Sequence, residues 1–413
     1  MRHYDEIILI VRFVVTHLSH GSPGSFYRPY ELAKQLLNQN VDAKIFTPSE
    51  EDVKNIIDVP MIMLPNIGQK LKITNFGYHA IRKFVYNKFL SNIIPYDKLL
   101  ISLSNKISSS LEKSLDVHPD IIQGEQEVAA LASLKVGKKL GIPVTVDIHN
   151  IWPEELVSTG HIKRNSAVFK NLMNLEKKIV NDADHVIVVN DYMKNYIISN
   201  FNIDQKKLTI IPPGGEIIHN NYEKINKTRF MNKKIVYSGL VNPREHVDLF
   251  IKSIPAISKK YSDIKFVVAE KGESINEIKN LCKKLSINPN FYWFESRDKA
   301  RSLLKECYVA TLPSKNDIGR KLGTPLKLLE YMSNGLPVVA NDVNSWCNII
   351  RDEKIGILTK DDPRDFADGI NSLIEDEKMY VRMQNNMINL MNKKFSWKLH
   401  VEQLLLPIFR KIT

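Results

Sequence analysis

The sequence predicts an α/β protein that contains two doubly wound parallel-sheet domains. Short apolar runs of strand type alternate with longer amphipathic runs of helix type, which is the order of elements in a parallel sheet covered by helices. This alternation stops at a polar stretch, residues 216–233, and then starts again. The chain has 413 residues, of which 43% are hydrophobic and 25% are charged. Two globular domains with full cores are therefore expected.

The first half contains six apolar runs that predict strands. They are residues 7–13, 42–46, 120–123, 143–149, 185–189 and 208–211. Helices are predicted at residues 30–38, 127–140, 175–180 and 191–201, and a loop is predicted at residues 20–25. Ligands of such sheets bind beyond the carboxyl ends of the strands, so the residues that follow each strand are candidates for a site.

The second half repeats the pattern. Strands are predicted at residues 234–238, 264–269, 291–294, 309–312 and 337–340, and a turn at residues 355–358. Helices are predicted at residues 248–260, 275–285, 299–307, 363–375 and 377–392.

Charge and cysteine content limit the possible partners. The formal net charge of +12 indicates an anionic partner such as a phosphorylated substrate, a nucleic acid or an anionic membrane, unless the lysines are simply solvated. No basic helix of nucleic-acid-binding type is recognised, so we expect no nucleic-acid partner. Three scattered cysteines, without metal-ligand spacing, indicate a reducing compartment. We recognise no signal peptide and no apolar run of about 18 residues, and therefore expect a cytoplasmic protein.

The stretch from Gln69 to Leu90 does not fit the alternation. Basic residues are interleaved with aromatic and aliphatic ones, and its second half has helical spacing. An amphipathic helix of this kind can lie on an anionic membrane surface, which would make the protein peripheral on the inner face of the cell membrane. A surface helix whose aromatic residues pack inward on the first domain explains the pattern equally well.

Residues 323–340 predict a short helix followed directly by a buried strand. Thr324 is a suitable N-cap, and Pro325 suits the first helical position, where its missing N–H is not needed. Gly335 can adopt the left-handed conformation that ends a helix.

The start of this helix is a candidate anion site. Unpaired N–H groups and the positive end of the helix dipole would lie at Gly323–Leu326, and Lys327 adds a full charge. Glu330 follows one turn after Leu326 on the same face, although it could instead pair with Lys327. A phosphate at the helix start and a carboxylate for sugar hydroxyls would together suit a nucleotide-sugar.

Four groups of residues, in this order and spacing, resemble the retaining GT-B glycosyltransferases of family 4. They are Glu176 with residues 183–190, residues 236–239, residues 312–314 and residues 323–340; the closing residues 395–397 are also similar. The resemblance implies two Rossmann-like domains facing a cleft. Residues 1–213, joined by a last helix of residues 396–413 that crosses back, would bind the acceptor. Residues 214–395 would bind the nucleotide-sugar.

The resemblance implies a retaining hexosyltransferase that needs no metal or other cofactor. It would move a sugar, such as glucose, from a nucleotide-diphosphate sugar to a lipid-linked or surface-glycan oligosaccharide. We expect UDP-sugars to be favoured over GDP-sugars. A nucleotide-sugar 2-epimerase shares the architecture and is an alternative. Residues 182–184 look like the metal-binding Asp-x-Asp of another glycosyltransferase fold, but they precede a strand, so we read them as a turn.

The same resemblance assigns roles to individual residues. Glu330 would hold the ribose, and His149, after a first-domain strand, would reach the transferring sugar. The diphosphate would contact the helix start, namely Gly323, Thr324, Pro325 and Leu326. The loop with Gly21, Gly24 and Ser25 would approach the donor phosphates or the acceptor, unless its glycines only form a turn. Trp152 could stack on an acceptor sugar or only pack. Glu154, a candidate acceptor contact, could form an acid or base pair with Glu155, although such a pair more often caps a helix start.

The sequence departs from the family at three charged positions. The family places a carboxylate eight residues before Glu330, where this chain has Leu322. It also places an arginine directly after the glycine matching Gly239 and a lysine five residues later, where this chain has Leu240 and Glu245. The candidates to replace these cations are Arg244, Arg320, Lys321 and Lys327, of which Lys327 is best placed. A weak or inactive glycan-binding partner of another transferase is therefore an alternative function.

Overall fold

The computed structural model describes residues 9–16, 23–48, 58–64, 95–216, 218, 222–269, 272–292 and 297–413. The chain divides into two compact units. The first comprises Met1–Pro212 together with Trp397–Thr413, and the second comprises Pro213–Ser396. The stretch from Gln69 to Leu90 and the residue Gly21 lie outside the described residues.

The first unit contains a seven-stranded parallel sheet with the order β3-β2-β1-β4-β5-β6-β7. Its strands are β1 (Ile10–Val15), β2 (Asp42–Thr47), β3 (Met61–Met63), β4 (Ile121–Glu125), β5 (Val144–Ile148), β6 (His185–Val188) and β7 (Leu208–Ile210). The strand order reverses between β1 and β4, which is the switch point where such sheets usually bind ligands.

Helices connect these strands. They are α1 (Pro23–Leu37), α2 (Tyr96–Ser114), α3 (Gln126–Leu140), α4 (Trp152–Ser158), α5 (Ala167–Asp182) and α6 (Asp191–Phe201), with a 3-10 turn at Gln205–Lys207. Local sequence explains their ends. Asn190 caps α6 by accepting a hydrogen bond from the Met193 N–H at 2.8 Å, and Gly141, in the left-handed region at φ 71°, ends α3.

The C-terminal segment completes the core of the first unit. It consists of α16 (Trp397–His400), a π-helical turn (Val401–Leu405) and α17 (Leu406–Ile412). Trp397 is fully buried in the same apolar cluster as Val11 and Phe13 of β1, and its ring centroid lies 6.1 Å from that of Tyr27. The predicted return of the chain to the first domain is therefore confirmed.

The second unit contains a six-stranded parallel sheet with the order β10-β9-β8-β11-β12-β13. Its strands are β8 (Lys234–Ser238), β9 (Lys265–Ala269), β10 (Asn290–Tyr292), β11 (Val309–Thr311), β12 (Val338–Asn341) and β13 (Gly356–Thr359). The order reverses between β8 and β11. The predicted fold class, with two Rossmann-like parallel-sheet domains, is confirmed.

The second unit contains nine helices within its described residues. They are α7 (Tyr222–Met231), α8 (Val247–Lys260), α9 (Ile275–Lys284), α10 (Arg297–Glu306), α11 (Ile318–Leu322), α12 (Leu326–Ser333), α13 (Cys347–Asp352), α14 (Pro363–Glu375) and α15 (Glu377–Lys393). None of the helices described in either unit is both long and apolar enough to pass through a lipid bilayer.

Two local predictions are wrong. The turn expected at residues 355–358 is strand β13. Gly356 makes this strand possible, because a Cβ at that position would lie 2.1 Å from the carbonyl oxygen of Val338 on β12. The loop expected at residues 20–25 overlaps α1, which already begins at Pro23. A proline is compatible with a first helical turn, and Pro29 inside the helix explains why the sequence pattern placed its start later.

Candidate functional site

Three charged side chains of the second unit meet near the turn that follows β8. The Lys327 ammonium donates a hydrogen bond to Oε2 of Glu245 at 2.5 Å. Nη1 of Arg320 donates to Oε1 of the same carboxylate at 3.1 Å. The Glu245 side chain is 7% exposed, and the side chains of Arg320 and Lys327 are each 13% exposed. This is an ion cluster that is nearly closed to solvent and contains two cations for one anion.

Tyr237 and Gly239 fix the position of the Lys327 ammonium. The ammonium donates to the Tyr237 hydroxyl at 3.0 Å, and this hydroxyl donates to the carbonyl oxygen of Leu240 at 2.8 Å. Gly239 has φ 143°, and a Cβ there would lie 2.7 Å from Nζ of Lys327. Glycine is favoured at position 239 by this backbone conformation, and a side chain there would displace the Lys327 ammonium.

The electrostatics of this cluster keep Glu245 ionised. Burial would raise the pKa of Glu245, but Arg320 and Lys327 lower it to about 2. Burial and the charge of Arg320 lower the pKa of Lys327, and Glu245 opposes this shift. Arg244 also lowers the pKa of Glu245 and so contributes a further positive charge.

Helix α12 begins close to this cluster but not as the sequence predicted. The helix runs over Leu326–Ser333, and Pro325 occupies the N-cap position in an extended conformation. Thr324 is therefore not the N-cap, because the extended conformation at Pro325 delays the helix by one residue. Pro325 makes no side-chain hydrogen bond to this end, and the N–H groups of the first turn are candidates for contact with a ligand.

The other predicted donor positions lie around this helix. Glu330 is partly exposed on α12, and Lys327 forms an ion pair with Glu245. Leu322 ends α11 and is fully buried, so an apolar side chain packs where the family has a carboxylate. Leu240 is 37% exposed. Gly323 and Arg244 lie in the segments that precede α12 and α8.

In the first unit, His149 lies in a cluster of buried charges beyond β4 and β5. Its Nε2 lies 3.1 Å from Oε2 of Glu125, the last residue of β4, and 3.3 Å from Oδ1 of Asp147. Nε of Arg28 donates to the other oxygen of Asp147 at 2.8 Å. Gln123 Nε2 donates to Oε1 of Glu125 at 2.8 Å. Sequence reasoning proposed His149 but missed the carboxylates and the arginine around it.

These neighbours make His149 a cation. Burial would lower the pKa of His149, but Asp147 and Glu125 raise it to about 9. Burial and the charge of Asp147 raise the pKa of Glu125. Arg28 and His149 hold the pKa of Asp147 below its usual value against the effect of burial.

The same three residues have the donor types of a metal site. One ligand atom each from Glu125, Asp147 and His149 lies within 4.8 Å of the others. The guanidinium of Arg28 at Asp147 and the raised pKa of His149 oppose a second cation there. The charge balance favours a proton on His149 over a bound metal ion.

Glu154 is committed to a buried network of its own. Arg164 donates to both of its oxygens, at 2.6 and 2.5 Å, and the Tyr196 hydroxyl donates to Oε1 at 2.5 Å. The Glu154 side chain is fully buried, and it joins α4 to α6 and to the segment before α5. Trp152 begins α4 and is partly exposed. Gly24 and Ser25 lie in the first turn of α1.

Removal of the Glu154 carboxylate is expected to destabilise the first unit. Glu154→Ala leaves the partly exposed Arg164 guanidinium and the Tyr196 hydroxyl without this partner, and should lower the free energy of unfolding by about 2 kcal/mol. Urea denaturation measures this change. Glu112→Ala, which removes an exposed partner of Lys139, is the matched control and should change stability by less than about 1 kcal/mol. A loss for Glu154→Ala no larger than the control's would contradict a structural role.

Comparison with known families agrees with this architecture. Residues 27–216 match the model of Glycosyltransferase Family 4, and residues 220–390 match the model of Glycosyl transferases group 1. The chain therefore belongs to the family of group 1, or family 4, glycosyltransferases, and its fold is GT-B. The resemblance seen in the sequence is confirmed.

Individual relatives are distant. An uncharacterized glycosyltransferase of Methanocaldococcus jannaschii is 27% identical over 268 residues, or 59% of this chain and 66% of that protein. A D-inositol 3-phosphate glycosyltransferase of Corynebacterium kroppenstedtii is 22% identical, with 60% of each chain covered. An alpha-monoglucosyldiacylglycerol synthase of Streptococcus pneumoniae is 20% identical, with 79% of this chain and 70% of that protein covered. The matched region thus spans about two thirds of each relative's length.

Solved structures show the same fold at low identity. Anabaena HepE in complex with UDP and glucose has a TM-score of 0.70 and 14% identity, with 96% of this chain and 98% of that chain covered. Sucrose-phosphate synthase from Thermosynechococcus elongatus has a TM-score of 0.71 and 15% identity, with 98% and 99% covered. At this identity the likeness extends to the fold alone.

Proposed function

We propose that this protein transfers a hexose, such as glucose, from a nucleotide-diphosphate sugar to a glycan or lipid-linked acceptor. The observation that carries the proposal is the placement of Lys327 and Arg320 around one carboxylate near the start of α12, within a chain of this family. Cations and helix N–H groups at the carboxyl edge of a parallel sheet are suited to a diphosphate. A UDP-sugar is the favoured donor, and the UDP bound by HepE supports this choice by analogy of fold.

The chemistry needs no metal ion under this proposal. As the bond between sugar and phosphate breaks, negative charge accumulates on the departing diphosphate. Lys327, Arg320 and the first N–H groups of α12 stabilise that charge. The acceptor hydroxyl attacks from the same face, so the anomeric configuration is retained, and the leaving phosphate oxygen takes its proton.

His149 serves the sugar rather than the phosphate in this scheme. An imidazolium held by Glu125 and Asp147 cannot accept a proton, which excludes it as a general base while it stays charged. Its role is to donate a hydrogen bond to a hydroxyl of the transferring sugar.

A lipid-linked acceptor is supported by two observations. The net charge of +12 favours an anionic surface, and the Streptococcus pneumoniae relative is named for a glycolipid product. We propose a cytoplasmic protein that binds the inner face of the cell membrane, with the stretch from Gln69 to Leu90 as the contact. Sedimentation with anionic liposomes at low salt tests this contact, and a protein that stays in the supernatant would contradict it.

Donor binding tests the function directly. A thermal-shift screen against UDP, GDP, ADP and their sugars, with EDTA present, should show stabilisation by at least one nucleotide. Release of nucleoside diphosphate from the nucleotide-sugar then distinguishes a transferase from an inactive glycan-binding partner. The inactive alternative is motivated by Leu240, Glu245 and Leu322, which stand where the family has charged residues. Formation of a 2-epimer without release would indicate the epimerase.

Glu330→Gln is expected to weaken donor binding by about tenfold or more, because the carboxylate would lose a charge-assisted bond to the ribose. Binding of UDP and of its 2′- and 3′-deoxy analogues measures this. The wild type should bind a deoxy analogue more weakly than UDP, whereas the variant should lose most of that difference. Glu377→Gln, on the solvent face of α15, is the control. An undiminished preference for UDP in Glu330→Gln would contradict the ribose assignment.

A further inference from the structure

Glu245 occupies the position where the family has a lysine. Its negative charge is buried and paired with cations, and so it is not an exposed charge that would repel an anionic ligand. Its carboxylate is 7% exposed and accepts hydrogen bonds from Lys327 and Arg320. Its second contact with Arg320, from Nη2 to Oε2, measures 3.4 Å. The cluster therefore retains a net positive charge despite the carboxylate.

Glu245 links two connections of the sheet, the one after β8 and the one between β11 and β12. Glu245 itself follows β8, Arg320 belongs to α11 in the connection after β11, and Lys327 belongs to α12 before β12. These strands are adjacent in the sheet. One carboxylate from the connection after β8 thus contacts two cations on successive helices of the β11–β12 connection.

Each cation also has a neutral partner that leaves donors for a ligand. Lys327 donates to the Tyr237 hydroxyl, and Nε of Arg320 donates to Oγ of Ser314 at 3.2 Å. Within the described part of the chain, two of the three ammonium N–H groups of Lys327 are engaged, so one remains. Lys327 is further fixed 4.8 Å from the centroid of the Tyr237 ring.

We propose that Glu245 is a positioning residue that holds Lys327 and Arg320 where they can bind the diphosphate of the donor. These two cations replace the arginine and lysine that the family has and this chain lacks. The inference rests on the proposed function. The alternative is that Glu245 merely occupies the phosphate position in the empty site. A carboxylate held by two partners and nearly excluded from solvent argues against displacement on each binding event.

The two roles predict opposite effects of Glu245→Gln, which removes the charge with little change of shape. If the carboxylate only repelled or competed with phosphate, its loss would strengthen binding of a nucleoside diphosphate. If it positions the cations, binding should weaken by about tenfold although the net positive charge rises. Binding of the matching nucleoside monophosphate should change little, because it lacks the second phosphate.

The experiment is isothermal titration of wild type and Glu245→Gln with whichever of UDP, GDP and ADP the wild type binds, and with the matching monophosphate. Glu375→Gln, which alters an exposed pair with Lys260 in the same unit, is the control. If Glu245→Gln does not fold, Tyr237→Phe replaces it, since it removes the other partner of the Lys327 ammonium and should weaken diphosphate binding by about threefold.

A selective loss of diphosphate affinity supports the positioning role. Unchanged or tighter diphosphate binding, or an equal loss for both nucleotides, overturns it while leaving the proposed function intact. A wild type that binds none of the nucleotides removes the proposed function, and the positioning role with it.

Discussion

Lys327→Met is expected to lower kcat by about 10²–10³-fold, because the ammonium is the cation best placed to stabilise the departing diphosphate. Methionine retains the length of the side chain but has neither charge nor N–H donors. Glu245 keeps its contact with Arg320 in this variant, so the carboxylate is not left without a partner. Initial rates of nucleoside diphosphate release at saturating donor measure the effect.

The control for Lys327→Met is Lys252→Met. Lys252 forms an exposed pair with Asp248 on α8, 2.7 Å long, in the same unit. It should leave kcat within about twofold of the wild type. A Lys327→Met enzyme that also kept its rate within this range would contradict the assignment of Lys327 to the leaving group.

His149→Gln is the second large expected effect. Glutamine can still donate one hydrogen bond but carries no charge, so kcat should fall by about 10–100-fold. The pH dependence gives a sharper test. The wild type should lose activity as pH rises through about 9, where the imidazolium deprotonates. The glutamine variant cannot titrate, so this alkaline limb should be absent from its profile.

The same raised pKa gives a stability expectation. The pKa of His149 is raised from 6.5 to about 9 in the folded state. Its protonation therefore contributes stability that is fully present below pH 6.5 and is lost as pH rises through about 9. Denaturation series of wild type and His149→Gln should converge at alkaline pH. His118→Gln, at an exposed histidine of the same unit, is the control for both measurements. An alkaline limb that persisted in His149→Gln would assign the titration to another group.

Most strands and most helices were predictable because their signals are local. The helix and strand at residues 323–340 were recognised from the apolar run and from Gly335, which does adopt φ 56°. The N-cap was misplaced by one residue, because the backbone conformation at Pro325 depends on how the preceding helix α11 ends. Strand β13 was missed because Gly356 looked like a turn residue. A glycine is required there because the backbone of β12 lies too close for a side chain, and the two strands meet only in the folded sheet.

The partners within the candidate site could not be read from spacing. Arg28 and Asp147 are 119 residues apart, and Glu245 and Lys327 are 82 apart. In the sequence, Glu245 is only a position where the cation of the family is missing. In the structure, its carboxylate accepts hydrogen bonds from two other cations, Arg320 and Lys327. One signal was available for the first unit: Glu125 follows the strand predicted at residues 120–123, Asp147 lies in the strand predicted at residues 143–149, and adjacent parallel strands bring their carboxyl ends together.

A nucleoside diphosphate is expected to bind at the start of α12 without a metal ion. A crystal structure of the protein with the nucleotide that stabilises it most, prepared in EDTA, tests this most directly. We expect the diphosphate within hydrogen-bond distance of Lys327 Nζ and the first N–H groups of α12, with the ribose on Glu330. A diphosphate bound elsewhere would contradict the claim, as would a nucleotide that binds only after a divalent cation is restored.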